Sequence, residues 1–504
     1  MKYLELYLRK VFTVDLRALA MMRIWLAGIV LLDLAIRASV MEAHYSNMGV
    51  LPLHVLHQHL WLPQFFSLHV LSGLWQFQLL LFILAAGFAF SLLLGYKTRL
   101  STAVTWLLLL SLQNRNPLIA QGGDDLLRML LFWGIFLPWG RFYSADAVHA
   151  RQQGVVPQQT SYFSAATVAY IVQVGLVYFC TALLKDSPEW HTEGTALYYA
   201  LSLDQILMPL GRLIYPYPEL LRVLTLATWY TELLLPFLLL IPWHNRFFRM
   251  VVVVVLVGFH IGISLTLFVG LFYLINIASV AGLLPAPAMN WLDKRVLGSF
   301  RRPRMGQFKQ VFNRLSSPVS LQVNWQKPLI PRHMLSPLRN GFVTAVLLYC
   351  VWWNLSTTHL PLHKIPDSSR WFGYLLRLDQ HWRMFSPTVF KDDGWYVLEG
   401  YTANGINIDL NQQGKEVNYS KPASVVSMFK NDRWRKYSEN YLFTYYAYMR
   451  PYYCNYLMRR WNEAHPQQPI QQLEVIYMKE PSLPDYQLAV PTREVLCSCA
   501  NQAE

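Results

Sequence analysis

Three ionisable side chains stand inside or at the end of long apolar runs, where a charge is costly unless it is paired. Lys185 ends the run AYIVQVGLVYFCTALLK, Glu232 lies in WYTELLLPF, and His260 lies in VVVVVLVGFHIGISLTLFVG. An amine, a carboxyl and an imidazole are groups that proteins use to move protons. The pattern therefore indicates proton chemistry at the edge of an apolar region, or structural pairing of these groups.

Lys185 allows two interpretations. It can extend to a membrane interface, with Asp186 or Glu189 as its partner, because a long side chain can keep its charged end in water while its hydrocarbon stem is buried. It can also be partly buried and within reach of His260, where desolvation favours a neutral amine that takes up a proton.

His260 stands in the middle of its apolar run. An imidazole at that depth needs a hydrogen-bond partner, so we predict that it points to the inside of the protein and away from lipid. A structural bond between two helices and a role in the chemistry both remain open.

A second group of charges surrounds the segment NPLIAQGGDD, whose Gly122-Gly123 pair is typical of a tight turn that could dip into a membrane. The charged residues that flank or end this segment are Arg115, Asp124, Asp125 and Arg128. Asp33 and Arg37 are four residues apart on one predicted helix, so we expect them to form a pair.

The amino-acid composition indicates which kind of structure holds these residues in place. Only 14% of the 504 residues are charged and 54% are hydrophobic, whereas a soluble domain carries about 25% charged residues. The net charge of +14 is concentrated at 291–340, between two apolar segments. A basic loop beside a membrane is the positive-inside signal and can touch anionic lipid, so we do not expect nucleic-acid binding.

Apolar runs predict an all-α polytopic membrane helix bundle of about nine spans, followed by a small soluble α+β domain. The predicted spans are 16–36, 74–94, 100–112, 126–139, 167–184, 220–243, 248–268, 271–284 and 342–353. The predicted units are a membrane domain at 1–290, a basic loop at 291–340, a last span at 341–357 and the soluble domain at 358–504. The short segments at 100–112 and 126–139 could instead be two legs of a re-entrant unit.

Charge predicts the orientation of the bundle. Basic residues precede the first span and follow the second, fourth, sixth and eighth, so these loops share the cytoplasmic side of a plasma (inner) membrane. The N-terminus is then cytoplasmic and the C-terminal domain is periplasmic or otherwise outside. The outer loops become 37–72, 113–125 and 185–219. Because loops carry function, we expect substrate binding on this face, and the candidate residues there are Asn116, Asp124, Asp125, Trp190 and Glu232.

The soluble part has its own signals. GWYVLEGYTANGINIDL alternates apolar and polar residues around Asn404-Gly405, a strong hairpin turn. QQLEVIYMKE predicts a further strand, and 437–463 predicts a helix against the sheet. One pair among Cys454, Cys497 and Cys499 could bridge in an oxidising space, which leaves one thiol over. No metal site is predicted.

Four segments together resemble a known family. YSNMGVLP from Tyr45, NPLIAQGGDDLLRMLLFWGIFLPWGR from Asn116, QVGLVYFCTALLKDSPEWHTEGTALYYAL from Gln173 and GFHIGISLTLFVGLFYLINIAS from Gly258 resemble the horizontally transferred transmembrane domain. This domain is the bacterial branch related to the vitamin K-dependent gamma-carboxylase. LDQHWRMFSP, DDGWYVLEG and WRKYSENY are similar to the domain that follows the membrane part in bacterial members.

The resemblance implies roles for two residues. In the carboxylase, the second lysine of a pair is the base toward vitamin K hydroquinone, and a Trp follows five residues later. Here the pair is Leu184 and Lys185, with Trp190 at that distance, so Lys185 is the implied base. His260 matches a family histidine and is implied to lie near the quinone. A further family histidine has no equivalent, because NRNPL occupies its segment.

Two classes of function follow. The first is a membrane enzyme of the carboxylase superfamily that uses Lys185 and His260 on a quinone-type lipid, with a peptide or lipid substrate at the outer face and membrane lipids around it. The alternative is a non-enzymatic transporter or lipid-binding scaffold that keeps the fold. Retained Lys185 and His260 favour the enzyme, whereas the lost family residues favour the scaffold.

Overall fold

The computed structural model describes residues 2–155, 159–297, 332–487 and 489–500, which are mostly helical, with a small sheet near the C-terminal end. Most of the predicted basic loop falls at 298–331 and lies outside the described residues, so its assignment stays a prediction.

Helices dominate the first part of the chain and are joined by short loops and 3₁₀ turns. They are α1 (Lys2–Phe12), α2 (Leu16–Ala38), α3 (Met41–Tyr45), α4 (Leu53–His59), α5 (Trp75–Leu94), α6 (Thr98–Arg115), α7 (Gly122–Gly134), α8 (Ala145–Gln152), α9 (Ala165–Leu184), α10 (Pro188–His191), α11 (Ala196–Ser202), α12 (Pro209–Ile214), α13 (Pro218–Leu238), α14 (Asn245–Thr266), α15 (Phe272–Ala281) and α16 (Ala286–Leu292). A two-residue ladder pairs β1 (Val14–Asp15) with β2 (Ser161–Tyr162).

Four helices of the described residues are long and apolar enough to cross a membrane, namely α2, α5, α9 and α14. The helices Phe272–Ala281 and Ala286–Arg295 meet at 107° and would together make a fifth, broken span. Each of the nine predicted spans contains a helix, but the count of nine is not confirmed. Fewer than nine helices meet this criterion because a span needs about 20 apolar residues. Helix α7 has only 13 residues, and α13 carries acidic and basic side chains.

The candidate spans have an apolar outside and a mixed inside. On α14, Val254, Ile261 and Leu265 are exposed, whereas Leu256 and His260 are buried. An exposed apolar stripe on a helix of this length is the surface that lipid tails cover. His260 faces the protein and not this stripe, as the sequence predicted.

Three loops that were predicted to share one side all contact the C-terminal domain. Arg459 approaches Glu42 in the first of them, Arg433 donates to the main-chain oxygen of Ile119 in the second at 2.8 Å, and Tyr198 in the third donates to that of Leu483 at 2.6 Å. These three loops and the C-terminal domain therefore lie on one face.

Segments predicted for the opposite side also cluster. Arg17, at the start of α2, forms a 2.8 Å ion pair with Asp293, which also accepts a hydrogen bond from the Tyr143 hydroxyl. Arg249 donates to the main-chain oxygen of Thr13 at 2.6 Å. These segments therefore contact one another and form a second set of loops.

The described chain resumes at residue 332 with α17 (Arg332–Ser356), which packs against α9 and is followed by α18 (Asp367–Leu376). A five-stranded antiparallel sheet then has the order β5-β4-β3-β6-β7. Its strands are β3 (Gly394–Thr402), β4 (Asn407–Asp409), β5 (Lys415–Glu416), β6 (Ile470–Lys479) and β7 (Thr492–Ala500). Two helices, α19 (Asp432–Leu442) and α20 (Arg450–Ala464), separate the halves of the sheet in the sequence, and α20 packs on β6 and β7.

The predicted sheet and hairpin are confirmed, whereas the one helix predicted at 437–463 is two helices, α19 and α20, with a 3₁₀ turn at Thr444–Met449 between them. Strands β3 and β4 form the hairpin, and its turn places Gly405 at φ +75°, where glycine is favoured because it has no Cβ. The pairing that the sequence left open is a disulfide between Cys454 on α20 and Cys499 on β7, and Cys497 is the remaining thiol of this domain.

We predict that Gly49→Ala destabilises the protein and that Gly87→Ala does not. A Cβ at residue 49 would lie 2.1 Å from the main-chain oxygen of Ala43, whereas a Cβ at residue 87 meets nothing within 4 Å. Overpacking costs about 1–3 kcal/mol, while alanine inside a helix gains up to about 1 kcal/mol over glycine. Thermal unfolding midpoints of the full chain in detergent test this, and equal midpoints for the two variants would contradict the packing around residue 49.

Candidate functional site

The first candidate site lies where α9 ends against α13. The Lys185 Nζ lies 2.6 Å from Oε2 of Glu232 and 4.0 Å from the centre of the Trp190 ring. Lys185 is only 3% exposed, and its two partners are also buried. Lys185, Glu232 and Trp190, which are all candidate site residues from the sequence, therefore form one cluster.

Local structure explains the position of Lys185. Helix α9 ends at Leu184, and Lys185 caps it with a non-helical ψ of 65°. Pro188 then starts the short α10, which turns the chain back and brings the Trp190 ring over the amine. The Trp190 indole N–H donates to the main-chain oxygen of Phe385 at 3.0 Å, so the C-terminal domain holds this ring in place.

The partner expected for a lysine at the interface is not the observed one. Asp186 lies 3.0 Å from His359, and Glu189 lies 2.6 Å from Lys391. Lys185 turns inward instead and pairs with Glu232, which comes from a different helix. Its geometry is that of a buried charge pair, in which the loss of either partner would leave the other charge uncompensated.

His260 occupies a separate position. Its Nε2 lies 2.8 Å from the Tyr178 hydroxyl, which donates to Oδ1 of Asn276 at 3.1 Å. The other ring nitrogen, Nδ1, is buried and has no partner among the described residues. The imidazole thus joins α14 to α9 and α15, which is the structural role that the sequence left open, and it keeps one free nitrogen.

Lys185 and His260 are not in direct contact. Tyr178, the partner of His260, precedes Lys185 by seven residues on α9, which is two helical turns on the same face and about 10 Å along the axis. The described residues show Lys185 bonded to Glu232 and His260 bonded to Tyr178, so the expectation that Lys185 lies within reach of His260 stays a prediction. The two groups border one face of α9.

The second candidate site is a closed network of four charges. Asp33 accepts from Arg37 at 2.8 Å and from Arg433 at 2.6 Å, and Asp124 accepts from the same two arginines at 2.7 and 2.6 Å. All four side chains are buried. Two acids and two bases balance, so the network is neutral, and it joins the membrane part to α19 of the C-terminal domain.

The remaining nominated residues support this region. Asn116 donates to the main-chain oxygen of His44 at 3.0 Å and accepts from the main-chain N–H of Leu118 at 3.1 Å, so it shapes the turn. Asp125 pairs with Arg128 at 2.7 Å. Asn116, Asp124 and Asp125 thus lie together at this network, apart from the contacts of Lys185.

Sequence reasoning missed two residues here, Arg433 and His44, and it assigned no contact to Arg115. Arg433 lies 400 residues from Asp33, so no local spacing could pair them. Arg115 is buried, and its Nε and Nη1 have no partner among the described residues, as is also true of both ring nitrogens of His44. Burial, with the positive charges of Arg37, Arg433 and Arg115, lowers the pKa of His44 to about 3, so this imidazole is neutral at physiological pH.

The chain matches no protein-family model, no characterised protein and no solved structure.

We predict that Arg433→Ala strongly destabilises the protein, because it leaves two buried carboxylates with one guanidinium. Breaking a buried pair costs about 3–5 kcal/mol. Arg460→Ala is the matched control, since Arg460 pairs with Glu463 on the surface, where a pair contributes about 0–1 kcal/mol. Thermal unfolding of both full-length variants in detergent measures the difference, and a similar loss in each would show that the network is not needed for stability.

Proposed function

We propose that the protein is a membrane enzyme of the horizontally transferred transmembrane family, related to the vitamin K-dependent gamma-carboxylase, and that Lys185 is its base. The observation that carries the proposal is the Lys185–Glu232 pair, buried under the Trp190 ring at the end of an apolar helix. The proposed ligand is a reduced quinone-type lipid.

The energetic cost of the pair supports a function. Moving two charges out of water costs several kcal/mol per ion, and their attraction often fails to repay it. An apolar contact between α9 and α13 would stabilise the bundle as well without that cost. Ionisable groups kept at such depth in membrane proteins mark substrate and proton pathways.

The residues around Lys185 fit a quinone ring. Such a ligand needs apolar and aromatic surfaces, together with one group that accepts a proton from its hydroxyl. Trp190 and Trp229 supply aromatic faces on this side of α9, since the Trp229 indole N–H donates to the main-chain oxygen of Ala182 at 3.2 Å. Lys185 supplies the acceptor once its ammonium has lost a proton. A bound hydroquinone would, with oxygen, supply the strong base that removes a weakly acidic proton from a substrate carbon.

The side chains have separate tasks in this mechanism. The Lys185 ammonium passes one proton from Nζ to Oε2 of Glu232, which leaves a neutral amine beside a neutral carboxyl. The lone pair on Nζ then takes a proton from the ligand hydroxyl. Trp190 covers the amine and keeps water away, since water would quench a strong base. His260, held by Tyr178, lines the deeper part of the same helix face.

The substrate is proposed only by class, as a peptide or lipid presented at the outer face. Leu184 stands where the carboxylase has its first lysine, and NRNPL replaces its Asn-His-Ser-Tyr segment. We therefore propose proton abstraction of the carboxylase kind and leave the group that is then added undefined.

We propose that the bundle has nine spans, with a cytoplasmic N-terminus and a periplasmic C-terminal domain. The loops predicted to be outside all contact that domain, and those predicted to be inside cluster on the other face. The bridge between Cys454 and Cys499 also favours an oxidising space, because disulfides persist there and are rare in the cytosol.

Cysteine labelling tests this topology. In a Cys497→Ser background, we expect Asn404→Cys at the hairpin tip to react with an impermeant maleimide in intact cells. Lys10→Cys, before the first span, should react only after lysis. The reverse pattern would overturn the proposed orientation.

Substitution of Lys185 tests the base. Lys185→Arg keeps the charge and much of the length, so it should preserve an ion pair with Glu232. Arginine cannot lose its proton in a protein, so oxygen-dependent turnover of reduced vitamin K analogues should fall by about 100-fold or more. The matched control is Lys436→Arg, at a half-buried pair with Glu439, which should leave turnover unchanged.

Two results would contradict the proposal. Equal turnover by the wild type and Lys185→Arg would show that Lys185 is not the base. A wild type that turns over none of these compounds, and from which lipid mass spectrometry recovers no quinone, would favour the transporter or scaffold alternative. Selective solute flux in liposomes would support that alternative directly.

A further inference from the structure

Three carboxylates from distant parts of the chain meet at the junction between the membrane part and the sheet. Asp204 lies in the loop after α11, Asp393 directly precedes β3, and Glu480 directly follows β6. One carboxylate oxygen of each lies within 4.8 Å of the others. This cluster lies apart from Lys185 and from the four-charge network, and neither proposed role uses it.

The charges of the cluster do not balance. Lys421 is the cation that touches it, with Nζ 2.5 Å from Asp204 and also bonded to Glu480. Three carboxylates and one ammonium leave a formal charge of −2. The neighbouring Lys391 and Lys479 are already paired, with Glu189 and Asp392 respectively.

A second observation points to a cation ligand. Asp393 is only 2% exposed, and its Oδ1 has no partner among the described residues. Its other oxygen, Oδ2, accepts from the main-chain N–H of Asp204 at 2.9 Å, so the carboxylate is fixed in orientation. A buried carboxylate oxygen without a donor or a cation is strongly disfavoured.

The chemistry of the donors selects the ion. All three ligands are carboxylate oxygens, and such sites suit calcium or magnesium and not the softer transition metals. Calcium binds oxygen at about 2.3–2.6 Å, so two ligands on opposite sides lie up to about 5 Å apart, whereas magnesium needs about 4 Å. The three oxygens lie within 4.8 Å of one another, which fits around calcium, and calcium accepts an irregular set of carboxylates whereas magnesium demands near-ideal octahedral geometry.

We infer that Asp204, Asp393 and Glu480 bind a calcium ion, and that the Lys421 ammonium is its internal competitor. Lys421 is partly exposed, so its flexible side chain can move to solvent when the ion enters. The ion would join the loop that follows the Lys185 region to the ends of two central strands. Calcium would thereby brace the C-terminal domain against the membrane part.

Calcium titration of the full-length protein in detergent, after treatment with a chelator, tests this inference. We expect isothermal titration to detect one site below about 1 mM, and calcium to raise the thermal unfolding midpoint. Lys421→Gln should tighten binding by about tenfold or more, because it removes the competing charge. Asp393→Asn should weaken binding by at least that factor.

Two matched controls isolate the site. Lys436→Gln removes a lysine from a half-buried pair and Glu463→Gln removes a carboxylate from a surface pair, and both should leave calcium affinity unchanged. Lys421→Gln tests the site even if Asp393→Asn fails to fold, because Lys421→Gln is expected to strengthen calcium binding and a damaged protein would not bind more tightly. The absence of calcium binding to the wild type and to Lys421→Gln at about 10 mM, or equal affinity in those two proteins, would overturn the inference, as would tighter binding of magnesium than of calcium.

Discussion

A buried neutral network of Asp33, Arg37, Asp124 and Arg433 is the constraint on which the arrangement of the two parts depends. Each acid accepts from both arginines, so no member can leave without uncovering a charge that water does not reach. Three members belong to the membrane part, and Arg433 is the one that the C-terminal domain supplies. A neighbouring hydrogen bond joins the same two parts of the protein, since Asn440 on α19 donates to the main-chain oxygen of Leu118 at 2.6 Å.

Docking of the C-terminal domain at this network also closes the region around Lys185. The main-chain oxygen of Phe385 holds the Trp190 indole, and the main-chain N–H of Val389 donates to Glu189 at 3.1 Å. The end of α9 is therefore covered by residues that follow it by about 200 positions along the sequence. The proposed proton transfer would need a cover of this kind to exclude water, and the C-terminal domain supplies it.

Features set by neighbouring residues were predictable from the sequence. Apolar runs located the helices, the four-residue spacing predicted the Asp33–Arg37 pair, and Asn404-Gly405 predicted the hairpin. Features set by contacts between distant segments were not. Glu232 replaced Asp186 and Glu189 as the partner of Lys185, because the turn after α9 directs the amine toward α13, and nothing near residue 33 predicts Arg433. The count of nine spans is not confirmed by the four long apolar helices, since a helix inside a bundle can be short or polar when protein, and not lipid, surrounds it.

The sequence position of Arg433 bears on biogenesis. A chain leaving the ribosome presents Asp33, Arg37 and Asp124 long before residue 433 is made, so during insertion two acids share a single guanidinium. Until then the membrane part carries one unbalanced negative charge at the surface on which the C-terminal domain will dock. The network is completed only when that domain folds against the membrane part and brings Arg433 to it, so a residue made late in synthesis completes a contact among residues made early.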